Sequence, residues 1–206
     1  MTTNGAPPEP PAVVRRLGSE SSATLVALVE TFEDLQMVLR CCERLVQDLA
    51  PAEGQPDVVP VEAVWTMALL SYARCFTAGE AGVALTEEDL KTAQPSGDVL
   101  EWHQVLLQLR DHYTDPSANP RERFSVGATQ DASGAATGVA ITSARQPLVD
   151  DLTVRQTGAI AYALSSLVNG RIEAQQEQVF AELKNLTKAD LDKLSQLDLA
   201  QPTGSR

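Results

Sequence analysis

The chain has 206 residues, of which 43% are hydrophobic and 21% charged, which is ordinary globular usage and enough for one hydrophobic core. Acidic residues outnumber basic ones by 28 to 16, and the resulting net charge of -12 disfavours nonspecific binding to nucleic acid or to anionic membranes. No run reaches the roughly 18 apolar residues of a membrane span, and the N-terminus lacks the apolar core of a signal peptide. We therefore expect a cytoplasmic protein with no membrane partner.

Composition sets the two ends of the chain apart from its middle. Residues 1–20 are rich in Pro, Gly and Thr without periodicity, and residues 199–206 look the same, so both are expected to be disordered tails. Residues 21–198 are expected to form a single helical domain. Its first helix is predicted over 21–50, where apolar side chains recur at every third or fourth position until Pro51.

A second helix is predicted to begin near Pro60 and to run through VEAVWTMALLSYARCFTAG to about Gly79. It is apolar nearly all round, so we expect it to be the central and most buried helix. Arg74 lies inside this apolar run, and a buried charge requires a partner. Asp111 and Glu101 are candidate partners.

Two further helices are predicted in the middle of the chain. Thr86 followed by acidic residues is typical of a helix start, and this short helix ends before Pro95. A longer helix is predicted over roughly 97–112. The Pro and Asn content of TDPSANPRERF then indicates a loop.

Two β-prone runs, RFSVGATQ and TGVAITSA, flank DASGAA and predict a β-hairpin beside the helical body. Helical periodicity resumes over 148–186, where the small residues 158–163 indicate close packing against a neighbour. Residues 187–197 can add a short terminal helix. The predicted fold is mainly α: a helical bundle of four to five main helices with one short β-hairpin inserted between the last two long helices.

The sequence lacks the common signatures of nucleotide-binding and hydrolytic enzymes. It has no Gly-rich phosphate loop followed by Lys, no paired metal-binding histidines and no nucleophile elbow. Cys41, Cys42 and Cys75 lack metal-ligand spacing and are expected to be buried free thiols. We therefore expect neither a metal nor a cofactor.

Histidine chemistry can occur at only two places, because His103 and His112 are the only histidines in the chain. His103 lies seven residues before Arg110, about two helical turns earlier, so the two side chains can share a face. His112 points elsewhere unless the helix ends there.

The segments WTMALLSYARCFTAG and WHQVLLQLRDHYTDPSANPRERF, followed by a hairpin and a long final helix, resemble a bacterial group of HEPN-like helical proteins. The resemblance covers roughly residues 60–185. It implies a helical fold that commonly dimerises and often acts as a metal-independent ribonuclease in toxin–antitoxin or phage-defence systems. The usual signature of these proteins is an Arg, often followed by a polar residue, and a His after four to six intervening positions.

Arg110 and Asp111 match the first part of that signature, but Asp115, Pro116 and Ser117 stand where the histidine is expected. RNA cleavage needs a general base for the 2′-hydroxyl proton and a group that stabilises charge on the phosphate. Arg110 can supply the second group, and no residue at the expected positions supplies the first.

Our leading hypothesis is a catalytically degenerate HEPN-like binding or regulatory domain, homodimeric, which acts on a protein partner or on a nucleotide or RNA ligand. The net charge disfavours the nucleic-acid ligand. The alternative is a metal-independent endoribonuclease with Arg110, Asp111 and His112 as catalytic residues, or with His103 as the base.

Each candidate residue also has a structural interpretation. Arg110 can pair with Asp111, with Asp115 or with the last helix carbonyls. A functional ligand pocket would place Arg74, Tyr72 and His103 beside Arg110. The structural alternative makes Arg74 part of a buried ion pair and His103 a partly buried helix residue.

Overall fold

The structure is a computed structural model that describes residues 13–50, 56–93, 97–117 and 119–197. These residues form six helices and one two-stranded antiparallel hairpin, inserted between the fourth and fifth helices as predicted. The helices are α1 (Glu20–Leu49), α2 (Val58–Cys75), α3 (Glu87–Ala93), α4 (Val99–Thr114), α5 (Asp151–Leu183) and α6 (Lys188–Lys193). The strands are β1 (Glu122–Gln130) and β2 (Ala136–Arg145).

Polar side chains set the helix starts, because an N-cap oxygen satisfies an amide that has no partner within the helix. Ser19, Asp57, Asp98, Asp150 and Thr187 each accept a hydrogen bond from an amide two or three residues ahead. The predicted helices are confirmed, with boundaries shifted by a few residues.

The second predicted helix ends early, because α2 stops at Cys75 and not near Gly79. The amide of Phe76 turns back to the carbonyls of Ala73 and Arg74. The carbonyl of Cys75 then accepts a hydrogen bond of 2.8 Å from the Leu85 amide, which ties the following loop to the helix end.

The core lies where α1 packs against both α2 and α5, and α4 completes it by packing on α2. Its largest fully buried side chains include Leu35, Leu45, Leu69, Tyr72, Leu106 and Leu164. The small-residue stretch of α5 is used inside this bundle. A Cβ atom built on Gly158 would lie 3.4 Å from Cβ of Cys42 on α1, so the close neighbour is a helix of the same chain.

Helix α2 is the most buried of the long helices, as expected, but one strip of its surface is exposed. Trp65, Leu69 and Tyr72 lie in the core, but Val59 is 74% exposed and Met67 is 46% exposed. Among the described residues, the extensive helix contacts of α2 are with α1 and α4, and Val59 and Met67 remain exposed.

The predicted N-terminal tail extends too far along the sequence, because its last residues are attached to the folded body. Arg15 forms an isolated β-bridge with Gln196, and the Arg16 amide donates to the Ser195 carbonyl at 2.8 Å. Backbone pairing of this kind has no periodic side-chain signal. The remaining parts of the predicted tails, 1–12 and 198–206, lie outside the described residues.

The hairpin extends from the bundle, and neither strand packs extensively against a helix. The carboxylate of Asp131 closes its turn by accepting hydrogen bonds from the amides of Ser133 and Ala135, at 2.9 and 3.0 Å. Gly134 takes φ +85°, which is accessible to glycine at no steric cost. The Arg121 guanidinium ties the base of the hairpin to Glu62 on α2 at 2.7 Å.

Candidate functional site

The HEPN-like signature residues lie on the last turns of α4, which continues unbroken to Thr114. Nε of Arg110 donates to Oδ1 of its neighbour Asp111 at 2.7 Å. The hydroxyl of Thr114 donates to the Arg110 carbonyl at 2.9 Å, so this carbonyl near the end of the helix has a hydrogen-bond partner. The structural interpretation of Arg110 as a helix-terminal residue paired with Asp111 is therefore confirmed.

His112 is exposed and lies edge-on to Tyr113, with 6.0 Å between the ring centres. Residues two apart on a helix point about 200° away from each other. Because α4 remains helical past this point, His112 and Arg110 leave the helix on different sides.

The positions where the signature histidine is expected form a hydrogen-bonded turn. Oδ1 of Asp115 accepts from the amide and the hydroxyl of Ser117, at 2.8 and 2.7 Å. These hydrogen bonds lower the pKa of the Asp115 carboxyl. A carboxylate with a lowered pKa is a poor general base at neutral pH, so Asp115 does not replace the histidine chemically.

His103 lies in the core, on the inner side of α4. Its Nδ1 is 2.9 Å from the Tyr72 hydroxyl, and its ring centre is 4.3 Å from that of Phe76. Burial lowers the pKa of His103, with Glu87 acting weakly in the opposite direction. The imidazole is therefore held neutral and enclosed, and a bound RNA would have no direct access to it.

The predicted ligand pocket is only partly assembled. Tyr72 and His103 contact each other, but Arg74 points away to α1, where its Nε donates to Asp34 at 3.0 Å. The prediction of a buried Arg74 paired with Asp111 or Glu101 is wrong, since 66% of its side chain is exposed. The partner is on α1 because α2 turns this residue toward that helix.

The cysteines are free and buried, as predicted. Burial raises the pKa of the Cys42 and Cys75 thiols to about 12. Both are therefore protonated at neutral pH, whereas a nucleophilic cysteine reacts as the thiolate. Across the described ranges, no three His, Cys, Asp or Glu side chains cluster as metal ligands would.

The larger cavities formed by the described residues lie away from Arg110 and the two histidines. One cleft between α4 and α5 is lined by Trp102, whose Nε1 is buried with no hydrogen-bond partner. A second groove joins the start of α1 to the end of α5, where the Ser21 hydroxyl donates to Glu182 at 2.5 Å. Neither is lined by Arg110, His103 or His112.

The feature that sequence reasoning missed is an exposed apolar face on the hairpin. The register pairs Val126 with Ile141 and Ala128 with Val139, and paired residues point to the same face. Phe124 precedes Val126 by two positions and shares that face. We call Phe124, Val126, Val139 and Ile141 the apolar stripe; the two valines and the isoleucine are 72–75% exposed. The alternation of F-x-V and V-x-I in the two runs was the available signal.

Within the residues that the structure describes, no helix is both long enough and apolar enough to cross a membrane. Comparison with protein-family models, curated proteins and solved structures gives no match for this chain.

Proposed function

We propose that this chain is a catalytically degenerate HEPN-like domain that binds a protein partner through its hairpin, as a homodimer in the cytoplasm. The observation that carries the proposal is the contrast between two regions. Arg110 is paired with Asp111, His103 is buried and His112 leaves α4 on another side, while the hairpin presents an exposed apolar stripe.

Catalysis on RNA would need Arg110 free for a phosphate and a base within reach of the same phosphodiester. Arg110 is instead paired with Asp111, His112 leaves α4 on another side, and His103 is enclosed beside Tyr72. Three separate rearrangements would be needed to bring these groups together. The arrangement supports binding over cleavage.

Protein is favoured over nucleic acid as the partner class on grounds of charge and side-chain type. The chain carries a net charge of -12, which opposes a phosphate backbone. The stripe offers three aliphatic side chains and one aromatic ring, Phe124, whereas single-stranded RNA is usually held by several aromatic platforms. An uncovered apolar patch of this kind is typical of protein interfaces.

The test is cleavage of a mixed-sequence fluorescent RNA by the purified protein without metal, beside Arg110→Ala and His112→Ala variants prepared identically. We expect no cleavage that depends on either residue. Any trace contaminating nuclease would act equally in all three preparations. Cleavage by the parent that both variants lose would overturn the proposal and establish the endoribonuclease.

A further inference from the structure

We propose that the surface that covers the apolar stripe is a second copy of this chain, and specifically the exposed strip of its α2. This inference rests on the proposed function, because it names the partner of the same hairpin. We call the second surface the α2 groove. It is formed by Val59, Ala63, Met67 and Leu70, with Glu62, Thr66 and Arg121 at its rim.

The exposure of apolar side chains in the α2 groove is unusual for a helix of this composition. A helix that is apolar all round is normally buried on every side, yet α2 keeps Val59 and Met67 in solvent. Its groove encloses about 510 Å³ and is predominantly apolar. Among the described residues, each copy therefore exposes an apolar surface on the hairpin and another in the α2 groove.

The hairpin cannot cover its own α2 groove in this conformation. Arg121, the residue before β1, is bonded to Glu62 at the rim of that groove, and its carbonyl accepts from Gln146 beyond β2 at 2.8 Å. Both ends of the hairpin are thereby fixed, and the strands extend from the bundle without packing on a helix. The apolar stripe is left available to another molecule.

The buried area distinguishes two possible dimers. In a reciprocal exchange, the apolar stripe of each copy packs in the α2 groove of the other. In the alternative, the two stripes pack against each other. With roughly 100 Å² exposed on each of its four side chains, the apolar stripe offers about 400 Å², and the α2 groove adds about 300 Å². Two stripes packed together would bury only about 800 Å² in total, the size of a casual contact. Reciprocal exchange buries about 1,400 Å², within the range of stable dimers.

Charge points to the same arrangement. Residues 121–146 contain three arginines and two acidic residues, a net charge of +1 in a chain of net charge -12. The hairpin is thus slightly positive in an acidic protein, and Arg145 at its base is 84% exposed beside its partner Glu122. A second hairpin would repel it weakly, whereas the body of a second copy attracts it. In a dimer with a two-fold axis, the hairpin of each copy can pack on the body of the other, so the exposed surfaces of both copies are covered together.

The test is sedimentation velocity across the micromolar range with Ile141→Lys in the stripe and Met67→Glu in the groove. Both residues are solvent-exposed, and circular dichroism checks that each variant keeps its helices. We expect the parent to dimerise and each variant to raise the dimer dissociation constant about tenfold or more. Thr142→Lys is the matched control: it adds the same charge one residue away, on the opposite hairpin face, and should dimerise like the parent.

Mixing the two variants tests the reciprocal geometry directly. A mixed dimer has one unaltered junction and one in which the introduced lysine faces the introduced glutamate, so we expect dimer to reappear in the mixture. A mixture that stays monomeric would overturn the exchange, as would equal dimerisation of Ile141→Lys and Thr142→Lys. A monomeric parent would overturn the inference and the homodimer of the proposed function, while leaving the RNA cleavage result, and the proposal that the domain is non-catalytic, unaffected.

Discussion

His103 sits as a neutral imidazole between Tyr72 and Phe76, and the surrounding core is what holds it neutral. Desolvation disfavours the charged form, so the pKa of His103 is below its usual value of 6.5 in the folded state. In the unfolded chain the same group takes up a proton near that value. The unfolded state therefore binds more protons as the pH falls below about 6.5.

This difference predicts a pH-dependent stability with a known sign. The free energy of unfolding of the parent should decrease as the pH falls from about 7 to about 5.5, because protonation at His103 favours the unfolded chain. His103→Gln, which keeps a hydrogen-bonding group near Tyr72, should show a flatter profile in urea titrations. The exposed His112→Gln is the control and should follow the parent. Parallel profiles for parent and His103→Gln would contradict the buried, neutral histidine.

Sequence reasoning at the residue scale succeeded where the partner was local. Arg110 and Asp111 are adjacent in the chain, so their pairing was one of the alternatives from the start. The partner of Arg74 was out of reach, because Asp34 is 40 residues away and meets it only through the packing of α1 on α2. Periodicity specifies which face of a helix is apolar, but not which other helix lies beside a given charge.

The short helix α3 is attached to the body by its buried Leu90 and by one polar side chain, Asp89. Asp89 accepts from the amide of Thr86 at 2.8 Å, which caps the helix, and it also pairs with Arg171 on α5. Burial by itself raises the pKa of Asp89, but hydrogen bonds from Arg171 and Thr86 outweigh it and leave that pKa lowered. Its stabilising effect is therefore present above pH 3.8 and is lost as the pH falls through the lowered value.

Asp89→Ala should lower the free energy of unfolding by about 2–3 kcal/mol, because it removes the cap and leaves Arg171 without its partner. We place the figure below that of a fully buried pair because 41% of the Arg171 side chain is exposed. Urea denaturation measures the loss. Arg155→Ala, which breaks an exposed pair with Asp151 on the same helix α5, is the control and should leave the midpoint unchanged. Equal midpoints for the two variants would contradict the anchoring of α3 by Asp89.

Element by element, helices with long apolar periodicity were predicted within a few residues, and the hairpin was predicted from its two β-prone runs. The errors fall where backbone hydrogen bonds decide the structure. The early end of α2 depends on Phe76 turning back to Ala73, and the attachment of Arg15 depends on a bridge to Gln196. Neither contact has a side-chain pattern that a sequence can display.

For the molecule as a whole, the small-residue stretch of α5 is used within the bundle, because Gly158 packs against Cys42 of the same chain. The surfaces available for association are the hairpin and the α2 groove. An isolated two-stranded hairpin is marginally stable in water, so its strands need a covering surface to persist. The exposure of Val126 and Ile141 therefore bears on stability as well as on binding.

Hydrogen exchange of the hairpin amides at low and high protein concentration tests the central claim most directly. An uncovered hairpin opens readily and exchanges quickly, whereas a covered one is protected. We expect exchange over 122–130 and 136–145 to slow as concentration rises, together with exchange in the exposed part of α2, while the end of α4 around Arg110 is unchanged. Hairpin exchange that is equally fast at both concentrations would contradict a hairpin whose apolar stripe is covered by a second copy.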